Sequence, residues 1–171
     1  MKHGKLNRMI LAALFAAMAC VSTMLIQIPI PATNGYINLG DGVVLLSAFL
    51  LGPVYGAAAA GLGSMLADLL LGYAVYAPGT LILKGLMAFS AATVLRLLRE
   101  RTKAAALIGA LAGEIIMVLG YFAYESALLG YGLAAAAAIP GNILQGIGGL
   151  ISGVAVYHAL YAIPSVKKFT F

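Results

Sequence analysis

The chain has 171 residues, of which 63% are hydrophobic and only 9% charged. A soluble domain carries roughly 25% charged residues, so there is too little charge here to coat a water-facing surface. The net charge of +5 is no nucleic-acid footprint either, because nine of the ten basic residues sit in three short clusters between or beyond apolar runs, which is a pattern of membrane topology.

The length predicts one domain, residues 1–171. Lys2, Lys5 and Arg8 precede an apolar run from Met9 to Ile28. That run is longer than a signal-peptide core, and further spans follow, so it reads as a retained first helix. A crossing helix needs about 20 apolar residues. The pattern places spans near residues 8–28, 37–51, 54–73, 79–98, 104–124 and 139–163. Prolines mark the borders: Pro29 and Pro31 after span 1, Pro53 between spans 2 and 3, Pro78 before span 4, Pro140 early in span 6 and Pro164 after it. Proline has no backbone donor and crowds the preceding turn, so it favours helix ends. Span 2 is short, about 20 Å of helix from Leu39 to Leu51. Fused to span 3 it would make a rod of about 51 Å, against a hydrocarbon core of about 30 Å. Gly52-Pro53 is therefore expected to be a turn. Ala134–Ala138 reads as a short helix in the last outer connection.

Charge parity tests the count. With six spans, Lys2, Lys5 and Arg8, then Arg96, Arg99, Arg101 and Lys103, then Lys167 and Lys168 all fall on one side. The positive-inside rule makes that side the cytoplasm and puts both termini there. The expected fold is an all-α integral membrane protein of six helices in the cell membrane. Cys20 is the only cysteine, so no internal disulfide or Cys-based metal site is expected.

A charge inside a bilayer is costly and needs a reason. Asp41 starts span 2, Asp68 lies near the outer end of span 3, and Lys84 lies about one and a half turns into span 4. Glu125 ends span 5. Asn142 and Gln145, three apart, share a face of span 6. Glu114 is deeper, but shares a stripe with Tyr121 and Glu125. Asp68 shares one with Ser64, Gly61 and Ala57, all small. Tyrosines 36, 73, 76, 121, 124 and 131 cluster at the same outer level. Each feature also has a structural reading. The tyrosines fit an interfacial belt, Asp41 a helix cap, Asp68 and Lys84 an ion pair, and Asn142 and Gln145 interhelical glue. Their shared depth favours a pocket. The residues assigned to it are Asn38, Asp41, Asp68, Tyr76, Lys84, Glu114, Tyr121, Glu125, Asn142 and Gln145.

In span 1, Ala12 and Ala16 are four apart, as are Ala13 and Ala17. Such spacing lets another helix approach closely. Gly149 and Gly153 repeat it in span 6. No phosphate loop, HExxH or nucleophile elbow occurs, so an enzyme is not expected and the chain should not hydrolyse ATP. His3 lies in the tail, and His158, near the inner end of span 6, fits an interface residue better than a base.

Three segments, GYINLGD from Gly35, LLGPVYGAAAAGLGSMLADLL from Leu50, and APGTLILKGL from Ala77, carry a resemblance. They resemble the substrate-binding S components of energy-coupling factor (ECF) vitamin transporters, in the riboflavin-transporter-like group. The resemblance implies capture of a vitamin or precursor in an outward-facing pocket under the first outer loop. It implies association with a membrane coupling subunit and two cytoplasmic ATPases. ATP would then be used by those partners, with no cofactor or metal on this chain and no nucleic acid. It also implies a docking surface on span 1 at Ala12 and Ala16, with Ala13 and Ala17 as the adjacent register, and ligand release inside by tilting. Residues 29–38, confined by Pro29, Pro31 and Gly35, would gate the pocket.

The pocket inventory, tyrosines with one lysine and several carboxylates and amides but no tryptophan, suits a small hydroxylated heteroaromatic ring such as pyridoxine or hydroxymethylpyrimidine. Riboflavin follows from the group name. Pantothenate would use Lys84 directly. A scaffold or assembly subunit is the alternative from another class, and a stand-alone facilitator a further one.

Overall fold

The computed structural model describes residues 2–167. Lys168, one of the basic residues used in the parity argument, lies outside them. The elements run α1 (Lys2–Leu25), β1 (Gln27–Ile30), β2 (Gly35–Asn38), α2 (Asp41–Leu71), α3 (Ala77–Leu98), α4 (Ala105–Ala123), a π-helical turn (Tyr124–Leu128), a 3-10 segment (Gly132–Ala138), α5 (Ile139–Tyr161) and a short α6 (Pro164–Lys167). Among the described residues, five helical runs of 22 to 31 residues are long and apolar enough to cross a membrane.

One of them, α2, holds two of the expected helices. Gly52 breaks it at φ 84° and ψ 179°, a conformation that essentially only glycine adopts. The chain then reverses. Ser47 Oγ donates to the Gly56 carbonyl at 3.3 Å, whereas nine residues of straight helix would separate those turns by about 13 Å. A Cβ on Gly56 would lie only 2.7 Å from Ala48 Cα. The arms, residues 41–51 and 53–71, therefore pack back to back, and the bundle has six long helical segments.

The ends of α1 and α2 differ from the expected spans. Residues 27–30 and 35–38 are not helical but form an antiparallel hairpin, with Gln27 opposite Asn38 and Ile30 opposite Gly35. Pro29 and Pro31 deny this stretch helical hydrogen bonds. Asn34, at φ 51°, supplies the left-handed residue that returns the chain into β2. Helix α2 closes on a left-handed Gly72, whose N–H faces the Asp68 and Leu69 carbonyls. Both α3 and α5 carry proline in their first turn, where no donor is needed.

Small residues let the helices touch. A Cβ on Gly63 would lie 2.9 Å from Ala16 Cα, so α1 and the second arm of α2 meet backbone to backbone. The core beside them holds Val44, Leu45, Phe49, Met87 and Met117, all fully buried, with the Phe49 and Tyr157 rings 5.1 Å apart. Asn7, Leu50, Leu51, Leu160 and Val166 line one groove. The start of α1, the Gly52 reversal and the end of α5 thus share one end of the bundle, and the Arg99 charge acts on Tyr157 at that same end. The β-hairpin lies at the other.

Candidate functional site

At the hairpin end the bundle encloses a cavity of about 30 Å³, room enough for water. Its wall takes residues from every layer: Thr23 of α1, Tyr36 and Asn38 of β2, Ser64 and Asp68 of α2, Thr80 and Lys84 of α3, Tyr121 of α4, Glu125 of the π-helical turn, and Asn142 and Gln145 of α5. Tyr76, at the start of α3, completes it. Of the residues assigned to a pocket from sequence, Asn38, Asp68, Tyr76, Lys84, Tyr121, Glu125, Asn142 and Gln145 line this cavity.

Asp41 and Glu114 are the exceptions, since neither lines the cavity. Asp41 is fully buried behind it and forms an ion pair with Lys84. Its second oxygen accepts from Gln145 Nε2 at 2.7 Å. Asp41 is therefore not the helix cap considered above; Gly40 holds that place, without a side-chain bond. Nor does Lys84 pair with Asp68. Glu114 lies deeper, beside Gly146 and Gly149, and neither of its oxygens has a hydrogen-bond partner. A helical stripe fixes direction but not depth, and Glu114 is two and three turns from Tyr121 and Glu125.

The hairpin covers the cavity and is tied to four elements. Tyr36 donates to Asp68 Oδ1 at 2.5 Å, and Tyr76 donates to the Thr33 carbonyl at 2.6 Å. The Asn38 backbone N–H donates to Gln145 Oε1 at 2.7 Å, and Asn34 Nδ2 to Tyr131 OH at 3.2 Å. The Tyr36 and Tyr73 rings pack with centroids 4.5 Å apart, tilted by 42°. Burial, reinforced by the Asp68 charge, holds the Tyr36 phenol above its usual range, so it stays a donor to that carboxylate. Burial also raises the Tyr76 phenol.

Below the cover, Thr80 Oγ1 and Tyr121 OH share a hydrogen bond of 2.9 Å. Lys84 Nζ lies 5.6 Å from the Tyr121 ring centroid, within cation–π reach. The π-helical turn widens the end of α4 and sets the direction of Glu125, which is buried. Tyr76 OH lies 3.1 Å from Glu125 Oε1. Thr23, Tyr36, Ser64 and Thr80 were not singled out as pocket residues from sequence. Ser64 and Thr80 each stand one turn before a charged member, Asp68 and Lys84, and that i, i+4 spacing was the available signal.

On α1 the two small-residue registers separate. Ala12 and Ala16 are half-buried against the core, and Ala16 abuts Gly63. Ala13 and Ala17 are exposed. The Ala12/Ala16 register thus serves a contact inside the chain.

A helical membrane bundle closed over a polar, tyrosine-walled cavity is the architecture of a small-molecule capture subunit. Residues 4–162 match the profile of the family described as ECF-type riboflavin transporter, S component, and the chain belongs to that family, as the INLGD and LILKGL segments suggested. It is therefore a membrane-embedded subunit of a vitamin-type transporter that binds substrate and works with ECF partners; the family is one of transport subunits, not enzymes. A relative from Pyrococcus woesei, an uncharacterised protein in a gap 3' region, is 41% identical over 138 residues, which is 78% of this chain and 87% of the relative. A solved chain described under "Structure and mechanism of the S component of a bacterial ECF transporter" superposes with a TM-score of 0.69 at 24% identity, over 92% of this chain and 97% of that one. That likeness concerns the fold.

Proposed function

We propose that this S component captures a small, water-soluble, hydroxylated heteroaromatic vitamin or precursor, of the size of pyridoxine or hydroxymethylpyrimidine, in the cavity beneath the β-hairpin. The enclosed wall of three tyrosines and unpartnered polar atoms carries this reading. The tyrosine faces stack a ring, and Ser64, Asp68, Glu125 and Asn142 offer bonds to its substituents. Because the hairpin covers the cavity and is tied down across it, a ring enters when the hairpin lifts; the ties of Tyr36, Asn38 and Thr33 are the ones that open. The basic end, with both chain ends, faces the cytoplasm of a cell-membrane protein by the positive-inside rule. The cavity then faces outward.

Delivery requires a membrane coupling subunit and two ATPases that use ATP, this chain holding no cofactor. The exposed Ala13/Ala17 register is the docking face for the coupling subunit. Riboflavin is the second reading, favoured by the family description. Pantothenate loses support because Lys84 is already engaged by Asp41.

Native mass spectrometry of the detergent-purified chain tests the proposal. Retention of a small heteroaromatic vitamin supports it, and retention of riboflavin selects the second reading. A chain that is empty and fails to bind a panel of B vitamins by calorimetry overturns capture and favours a scaffold role.

A further inference from the structure

The chain has only five acidic residues, and four of them, Asp41, Asp68, Glu114 and Glu125, are buried at the hairpin end. One buried cation, Lys84, faces them. The cluster holds four carboxyl groups and one ammonium. Its cation is committed to Asp41, and Gln145 is committed to Asp41 and to the Asn38 N–H. The unpartnered groups on the cavity wall are Asp68 Oδ2, Glu125 Oε2 and Ser64 Oγ. Asp68 and Glu125 are each only 3% exposed. The hydroxyls of Thr80 and Thr33 lie near these two carboxylates but do not bond their free oxygens.

Buried carboxylate oxygens without donors are expensive. A ligand that brings N–H donors, and best a positive charge, offsets that cost, whereas an anionic ligand adds to it. The aromatic wall of Tyr36, Tyr76 and Tyr121 favours the same ligand, because ring faces attract cations.

Resting on the capture reading above, we infer that this S component selects an aminated or cationic heteroaromatic ring, with Asp68 and Glu125 as the paired acceptors of its amine, and discriminates against carboxylate-bearing vitamins. Asp68 comes from α2 and Glu125 from the π-helical turn after α4, and both line the same cavity, so a planar ring held there with donors on its edge is offered both carboxylates. Ser64, a turn before Asp68, accepts or donates at a ring nitrogen.

The test is calorimetry on the purified full-length chain with one scaffold in three charge forms: pyridoxamine, pyridoxine and 4-pyridoxate. The aminopyrimidine 4-amino-5-hydroxymethyl-2-methylpyrimidine, riboflavin and pantothenate complete the panel. The aminated ligands are expected to bind at least about tenfold more tightly than pyridoxine, the difference of one charged hydrogen bond, with no binding of 4-pyridoxate or pantothenate. In Asp68→Asn and Glu125→Gln, which keep shape and the bonds from Tyr36 and Tyr76, the amine preference should shrink towards unity while thermal stability holds. Tight binding of a carboxylated ligand, or an amine preference unchanged in both variants, overturns the inference. Riboflavin binding without any aminated ligand overturns it too, yet leaves vitamin capture standing. Failure of the whole panel overturns both.

Discussion

The two ends of the bundle are built on opposite principles. At the basic end, small residues bring backbones into contact, and the polar groups buried among the described residues are few: Ser47, which bonds the chain itself, and Tyr157, packed on Phe49. At the hairpin end the helices enclose a cavity lined by carboxylates, amides, hydroxyls and one ammonium. The first end gains its stability from dispersion and close packing, which small residues maximise in a membrane. The second depends on polar groups satisfying one another, where each missing partner is costly. Close packing and buried polar chemistry are thus segregated along the membrane normal: one end holds the helices together, the other encloses the polar cavity.

Removing the central cation should break this division most severely. Lys84→Ala leaves Asp41 buried and unpaired, which costs about 3–5 kcal/mol. The expected result is a large drop in the thermal midpoint in detergent, together with lost binding. A double variant, Lys84→Met with Asp41→Asn, should recover most of the stability. A Lys84→Ala protein as stable as the parent would show that the ion pair contributes nothing to the fold. Next in size is the packed end. Gly56→Leu forces a side chain against Ala48 and should cost about 1–3 kcal/mol, read as a lower denaturation midpoint.

Tyr36→Phe removes one donor from Asp68 and loosens the cover. Its expected cost is about 1.5–3 kcal/mol at most, seen mainly as faster ligand dissociation in stopped-flow; unchanged exchange would mean the hairpin is held by its other ties. The smallest effect on the isolated chain should come from Ala13→Leu with Ala17→Leu. Ligand binding and melting stay within error, while uptake by the reconstituted complex stops. Normal uptake would remove the docking role from that face. The neighbouring pair, Ala12→Leu with Ala16→Leu, should instead destabilise the chain, because Ala16 abuts Gly63.

Much of this was legible beforehand, for physical reasons. Apolar runs and prolines mark helices because a bilayer tolerates little else. Intramembrane charges mark a site because their cost demands a partner, and so Asp68, Lys84 and Glu125 could be grouped from depth alone. Which partner each one takes was not legible. Asp41 and Lys84 are 43 positions apart, and only the packing of α2 on α3 brings them together. The hairpin was missed because its strands are only four residues long, β1 carries Pro29, and neither shows enough alternation to read as a strand. The choice between the alanine registers of α1 rested on where Gly63 lies, a tertiary fact.

The reversal at Gly52 has a consequence for the site it lies farthest from. Were that residue right-handed, α2 would run on as a single rod of about 47 Å, and every later segment would exchange sides of the membrane. The hairpin would keep Asp41, while Asp68, Tyr76 and Glu125 would be carried to the opposite face. The backbone conformation of one residue thus acts as a parity bit for the whole chain, and the polar cavity exists in only one of its two states.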